Sequence, residues 1–263
     1  MKTNYVWFTA IVAVAIFCLF GCKKDKQQPI STVSDQPDSS KIYLPVQING
    51  SDVTTNYSYL DTSGIIWLLT KKSPSSDTSC VISYTSYQPE SFYFGVNGVR
   101  VSQTNYTLGT NGEVIRGDVY NVKVESSDDW GDNYVTTTLK AYYTLTYTTS
   151  GQLTEVSYFH ADGQKDHDLF FEYSAEGNIS GIHSSGNMNL EYDNFNGIGK
   201  SVKNAHLYYI EGVDQLLFYT RNNPVKLNAA SRTYKYNIDK YPVEMARRQP
   251  DGTSVFKIKY HSK

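Results

Sequence analysis

Phe171-Glu-Tyr173-Ser-Ala-Glu-Gly177-Asn-Ile179-Ser-Gly-Ile182 is the stretch that decides the fold, because it recurs. Leu145-Thr-Tyr147-Thr-Thr-Ser-Gly151-Gln-Leu153-Thr-Glu-Val156 repeats the same spacing. In both, Tyr follows an apolar residue at i+2, Gly comes four later, and apolar residues return two and five after the Gly. Positions i and i+2 share one face of a strand. Three residues closed by a left-handed Gly make a type I turn with a bulge. The unit is therefore a β-hairpin. Leu190-Glu-Tyr192-Asp-Asn-Phe-Asn-Gly197 is a looser third copy. Tyr234-Lys-Tyr236-Asn-Ile-Asp-Lys240-Tyr-Pro-Val243 is a fourth, with Lys240 at the Gly position.

The same grammar runs outward from these copies. Asn97-Gly98 joins Ser91–Val96 to Val99–Ser102, and Asn111-Gly112 and Asp251-Gly252 mark further turns. Ile42-Tyr43-Leu44, Ile65–Leu69, Val81–Tyr84, Val119–Val124 and Tyr134–Tyr147 read as strands, the last two joined by an acidic tip at Ser126–Asn133. The chain carries 23 Tyr, 11 Phe and 3 Trp, and tyrosine suits a half-buried pleated surface. No stretch has convincing helical periodicity. The expectation is an all-β antiparallel meander of hairpins over residues 41–263, in one or two twisted sheets or curled toward an open barrel.

The N-terminus reads differently. Lys2 precedes an apolar run from Val6 to Phe20, then Gly21-Cys22. That pattern is a secretory signal rather than a spanning helix. Leu19-Phe20-Gly21-Cys22 resembles a bacterial lipoprotein box, which implies cleavage of residues 1–21 and lipidation of Cys22. Lys23–Ser40 (KKDKQQPISTVSDQPDSS) is too polar to bury a core and reads as a flexible tether. Loss of Lys2 takes the formal charge from -2 to about -3. No basic patch emerges, so nucleic acid is not an expected partner. After cleavage Cys80 is left without a disulfide partner and is expected as a buried small hydrophobe.

Glu172-Tyr173 through Glu191-Tyr192-Asp193 resembles the YD repeat of bacterial shell-forming and surface proteins, over residues 141–263. The spacings between Tyr147, Tyr173 and Tyr192, 26 and 19 residues, argue against a closed repeat shell. Anchor, tether and Tyr-rich hairpins together resemble the β-rich lipoproteins of the Bacteroidota. That resemblance implies a place in the cell envelope, at the outer membrane, and brings no catalytic residues.

The sequence offers few groups for chemistry. His160, Asp162, Asp166, His167 and Asp168 crowd one loop, and Asp128, Asp129, Asp132 and Asn133 another, but neither matches a metal-binding spacing. There is no Gly-x-Ser-x-Gly elbow, phosphate loop or His-Glu-x-x-His. No cofactor or metal is expected. Glu155, Glu172 and Glu191 are the carboxylates a glycosidase would need across a cleft. For binding, Trp130 at the acidic tip, Trp67, Tyr208 and Tyr209 are the aromatic candidates for contact with a glycan or an envelope protein. The expected function is a membrane-anchored binding module. The alternatives are an assembly role through an open β edge, or hydrolysis of an envelope polymer.

Overall fold

A computed structural model describes residues 41–126, 133–184, 187–214 and 221–262. The chain forms β1 (Tyr43–Asn49), β2 (Thr54–Tyr59), β3 (Ile66–Lys72) and β4 (Asp77–Thr85), then β5 (Gln88–Val96), β6 (Val99–Leu108), β7 (Val114–Ser126) and β8 (Asn133–Tyr147). β9 (Leu153–His160), β10 (Lys165–Tyr173), β11 (Ile179–His183) and β12 (Asn187–Tyr192) follow. A short helix, α1 (Ala205–Ile210), precedes β13 (Pro224–Leu227), β14 (Ala230–Tyr236), β15 (Pro242–Gln249) and β16 (Gly252–Ser262).

Each strand pairs antiparallel with its neighbours in sequence, and β1 pairs with β16 from Tyr43↔Ser262 to Asn49↔Lys257. The meander thus closes into a sixteen-strand barrel. The all-β antiparallel meander and its curl toward a barrel are as expected, and the two halves of the chain share one sheet. The wall is sealed least at β13–β14, where only Lys226↔Ser231 and Leu227↔Ala230 pair. β7 and β8 outrun the wall: they pair up to Ser126↔Asn133, while β6 meets β7 only from Ser102↔Asn121 and β8 meets β9 only from Ala141↔His160.

Alternation sorts the side chains. Leu44, Ile66, Leu69, Ile82, Phe92, Tyr143, Val156 and Met245 point into one core. On β14, exposed Ser231, Thr233 and Lys235 flank buried Arg232. On β16, exposed Lys257 and Lys259 flank buried Ile258. Gln47 Nε2 donates to Asn56 Oδ1 at 2.8 Å, and Asn56 reaches Thr70 at 3.4 Å, a polar ladder across three strands. These outward faces carry lysine, serine and threonine beside exposed Val243 and Val255, whereas a membrane barrel turns a continuous apolar band outward.

The repeated turns fold as the spacing predicts. Gly151 and Gly177 have φ of 82° and 80°, each donating its N–H three residues back, to Thr148 and Ser174. Lys240 takes the same left-handed position at φ 63°, with the matching bond to Asn237. The third copy departs: after Tyr192 the chain makes no hairpin turn but turns into the barrel. These turns are local geometry and do not by themselves make the chain a YD-repeat protein.

At its open end each of five hairpins is clasped by a tyrosine. Near the end of the second strand, Tyr59, Tyr84, Tyr147, Tyr173 and Tyr234 donate to carbonyls of Pro45, Ile66, Val114, Leu153 and Pro224 on the strand before, at 2.7 to 2.9 Å. Burial raises the hydroxyl pKa of Tyr84 and Tyr173 to about 12, so these donors stay protonated.

Gly151→Ala, where a Cβ would meet nothing within 4 Å, should lower stability by about 1 kcal/mol through φ strain alone. Gly64 also has positive φ, but its Cβ would lie 2.1 Å from the Ser201 carbonyl. Gly64→Ala should therefore cost severalfold more. Urea midpoints compare the two, and equal losses would contradict the close approach.

Candidate functional site

Between β12 and β13, described residues from Ile198 to Asp214 carry buried side chains into the bore. Lys203 N–H donates to the Gly64 carbonyl at 2.8 Å, and Ile65 bridges to Lys203. Asn204, at φ 61°, then turns the chain into α1. Leu207 and Tyr208 are fully buried, Tyr208 edge-on to Phe92 at 5.9 Å, and Tyr209 sits edge-on to Phe171 at 6.0 Å. Gly117 makes room on β7: a Cβ there would meet the Tyr143 ring at 2.4 Å.

Two carboxylates follow the helix. Glu211 accepts from Tyr143 Oη at 2.6 Å and Thr104 Oγ1 at 3.1 Å. Burial drives its pKa up to about 7, against the lowering effect of those bonds. Asp214, buried, accepts from Tyr57 Oη at 2.8 Å. Lys71 Nζ donates to the Val213 carbonyl. The plug is thus tied to β2, β3, β6 and β8 by polar contacts inside an apolar core.

Where α1 begins, a cavity of about 200 Å³ opens at the mouth. Leu153, Ile179, Val202 and Ala205 supply its apolar lining, and Gln152, Asn204, Tyr147 and His206 the polar groups. The Tyr147 hydroxyl gives its proton to Val114 and stands 3.3 Å from His206 Nε2. Its oxygen is then left to accept from Nε2–H, which assigns Nδ1 as the free acceptor. Burial lowers the His206 pKa to about 4, so the ring is neutral at physiological pH.

The residues expected from sequence do not gather here. Tyr208 is fully buried, which corrects its expected role as an exposed contact: the plug needs its ring for packing. Tyr209 is half-buried against Phe171. Trp67 is the unmatched residue where β2 and β3 shift register, half-exposed on the wall. Cys22 and Trp130 lie outside the described residues. Cys80 is buried, its thiol pushed up to about 12 by desolvation.

Around His160 the groups pair with one another: Asp166 with His167 at 3.0 Å, and Asp168 with Lys165 at 2.8 Å and Ser157 at 2.6 Å. No described residues group as metal ligands. The candidate carboxylates each serve a local partner. Glu155 accepts from Ser157 at 3.0 Å, Glu172 meets His183 at 3.2 Å and Glu191 meets Lys226 at 2.7 Å. His206 and Glu211 belong to no motif. Only the failure of the third repeat copy at Asn196-Gly197 marks the segment that carries them.

The barrel is similar to a solved structure, a porin-like protein from Bacteroides uniformis. The TM-score is 0.54 at 14% identity, covering 84% of this chain and 96% of that one. At that identity the likeness concerns the fold alone. A second structure, of TcdB2-TccC3-TEV, has a TM-score of 0.21 over 10% of its own chain and carries no argument. No protein-family model matches, and no curated protein matches.

Glu211 gives the plug a pH signature. Its folded pKa is raised from 4.5 to about 7. Its contribution is therefore full below about pH 4.5 and lost as pH rises through 7, on the order of 2–3 kcal/mol. Glu211→Gln should lose less stability than the wild type between pH 5 and 8. Parallel denaturation curves for the two proteins would sink this assignment.

Proposed function

We propose that the chain is a lipid-anchored binding module of the cell envelope whose barrel stands in water and carries no current. The observation behind this reading is the inside-out wall. Lys235, Lys257 and Lys259 face outward, and a lysine on the lipid face costs about 2–4 kcal/mol at the bilayer midplane. Sixteen-strand porins keep an aqueous lumen, whereas here Tyr208, Leu207 and the core fill the bore. With lysines on the outer wall and, among the described residues, a packed bore, the domain needs another hold on the membrane. The Gly21-Cys22 box supplies it, and residues 22–40 supply the reach.

The likeness to a porin-like Bacteroides protein agrees with an envelope location. The partner is a glycan or an envelope protein, met through the water-facing surface. The carboxylates a glycosidase would use are each engaged locally, Glu155 with Ser157, Glu172 with His183 and Glu191 with Lys226.

Cys22→Ser should abolish incorporation of an alkynyl fatty acid and release the protein from the membrane fraction. Unchanged membrane retention without label would overturn the anchor. Protease treatment of intact cells then reads the side: digestion of the domain places it on the surface.

A further inference from the structure

We propose that the mouth cavity beside His206 is a binding site for one neutral sugar ring, as a free monosaccharide or as the terminal unit of a glycan. The inference rests on the binding-module reading and adds a place and a ligand class to it.

Size limits the ligand first. A space of about 200 Å³ is below the roughly 300 Å³ at which pockets for larger ligands begin. It takes a single ring and no more. Charge limits it next. Among the described residues the lining includes no Lys, Arg, Asp or Glu, and His206 is neutral; Arg221, behind Gly177, donates to the Glu176 carbonyl at the rim. The described lining itself is uncharged, which suits a neutral ligand better than a carboxylate, a phosphate or an ammonium.

The lining then matches a polyol. Among the described residues, three polar groups at the cavity have unused capacity: Nδ1 of His206, the side-chain amide of Gln152 and Oδ1 of Asn204. The Asn204 amide nitrogen is held by the Tyr84 hydroxyl at 3.3 Å, which leaves its oxygen to accept. Two acceptors beside an amide that both donates and accepts suit hydroxyls, which also do both. Leu153, Ile179, Val202 and Ala205 offer the apolar complement to the C–H face of a pyranose.

The mouth is also preformed. Gly151 and Gly177 sit at left-handed turn positions, so their hairpins present backbone at the rim. The clasps Tyr147–Val114 and Tyr173–Leu153 hold the strands beneath them. A site that need not order itself loses less on binding.

The test is NMR titration of the 41–263 barrel within the full mature chain, with His side chains and backbone amides labelled. The probes are glucose, galactose, mannose and N-acetylglucosamine, each free and as its methyl glycoside. The expected result is a shift of the His206 ring and of the Gln152 and Asn204 resonances by at least one sugar. Binding of free sugar alone marks a monosaccharide site; binding of the methyl glycoside marks a chain end. Gln152→Ala, on a turn and making no side-chain bond to a described residue, should weaken binding at least tenfold with the urea midpoint unchanged. Asn204→Gly, which keeps φ 61° accessible but gives up the bond to Tyr84, should weaken binding by a similar factor. If no probe shifts these residues at millimolar concentration, the site is overturned. It is equally overturned if shifts centre on the outer wall and both variants bind as the wild type does, an outcome that leaves the binding module itself standing.

Discussion

A ring of sixteen strands encloses more space than its own inward side chains fill, and the rest of this structure answers to that surplus. A membrane porin leaves the space to water. Here the inward faces are apolar, so the space has to be packed. The chain supplies the filling from within: after β12 it makes no hairpin turn, and Ile198, Val202, Ala205, Leu207, Tyr208 and Ile210 enter the bore. Ile198, Val202, Leu207 and Tyr208 complete the core that Phe92, Tyr143 and Phe171 begin.

Filling a bore with a loop brings backbone and charge into an apolar place. Tyrosine resolves much of this. Its ring serves the core and its hydroxyl reaches a polar group at the far end of the ring. Five such hydroxyls close hairpin ends on carbonyls, and two more, from Tyr57 and Tyr143, meet the carboxylates of Asp214 and Glu211. Tyrosine is thus architectural at these seven positions, where ring and hydroxyl both serve the fold.

Local order was legible in the sequence and long-range order was not. Turn chemistry depends on four or five consecutive residues, so the hairpins of Tyr147 and Tyr173 could be read, and even Lys240 could be placed where Gly was wanting. Closure depends on β1 meeting β16 across almost the whole chain, and no spacing rule reports that. Tyr208 looked like surface because tyrosine usually keeps an edge in water, yet inside a plug it is core. α1 has six residues, too few to show a helical period. His206 and the other polar residues at the mouth come from segments far apart in sequence, so only the folded chain shows them together.

The pairing Tyr43↔Ser262 has one more consequence. An even number of strands returns the chain to the end at which it started. The first strand begins and the last strand ends at the same mouth, the one with the tyrosine clasps and the plug. On the proposed anchoring, that mouth is the proximal end of the barrel. The β7–β8 extension leaves from the opposite, distal end. The molecule then has a polarity relative to the bilayer that its round cross-section hides: a floor turned toward the lipid headgroups and a spike turned away from them.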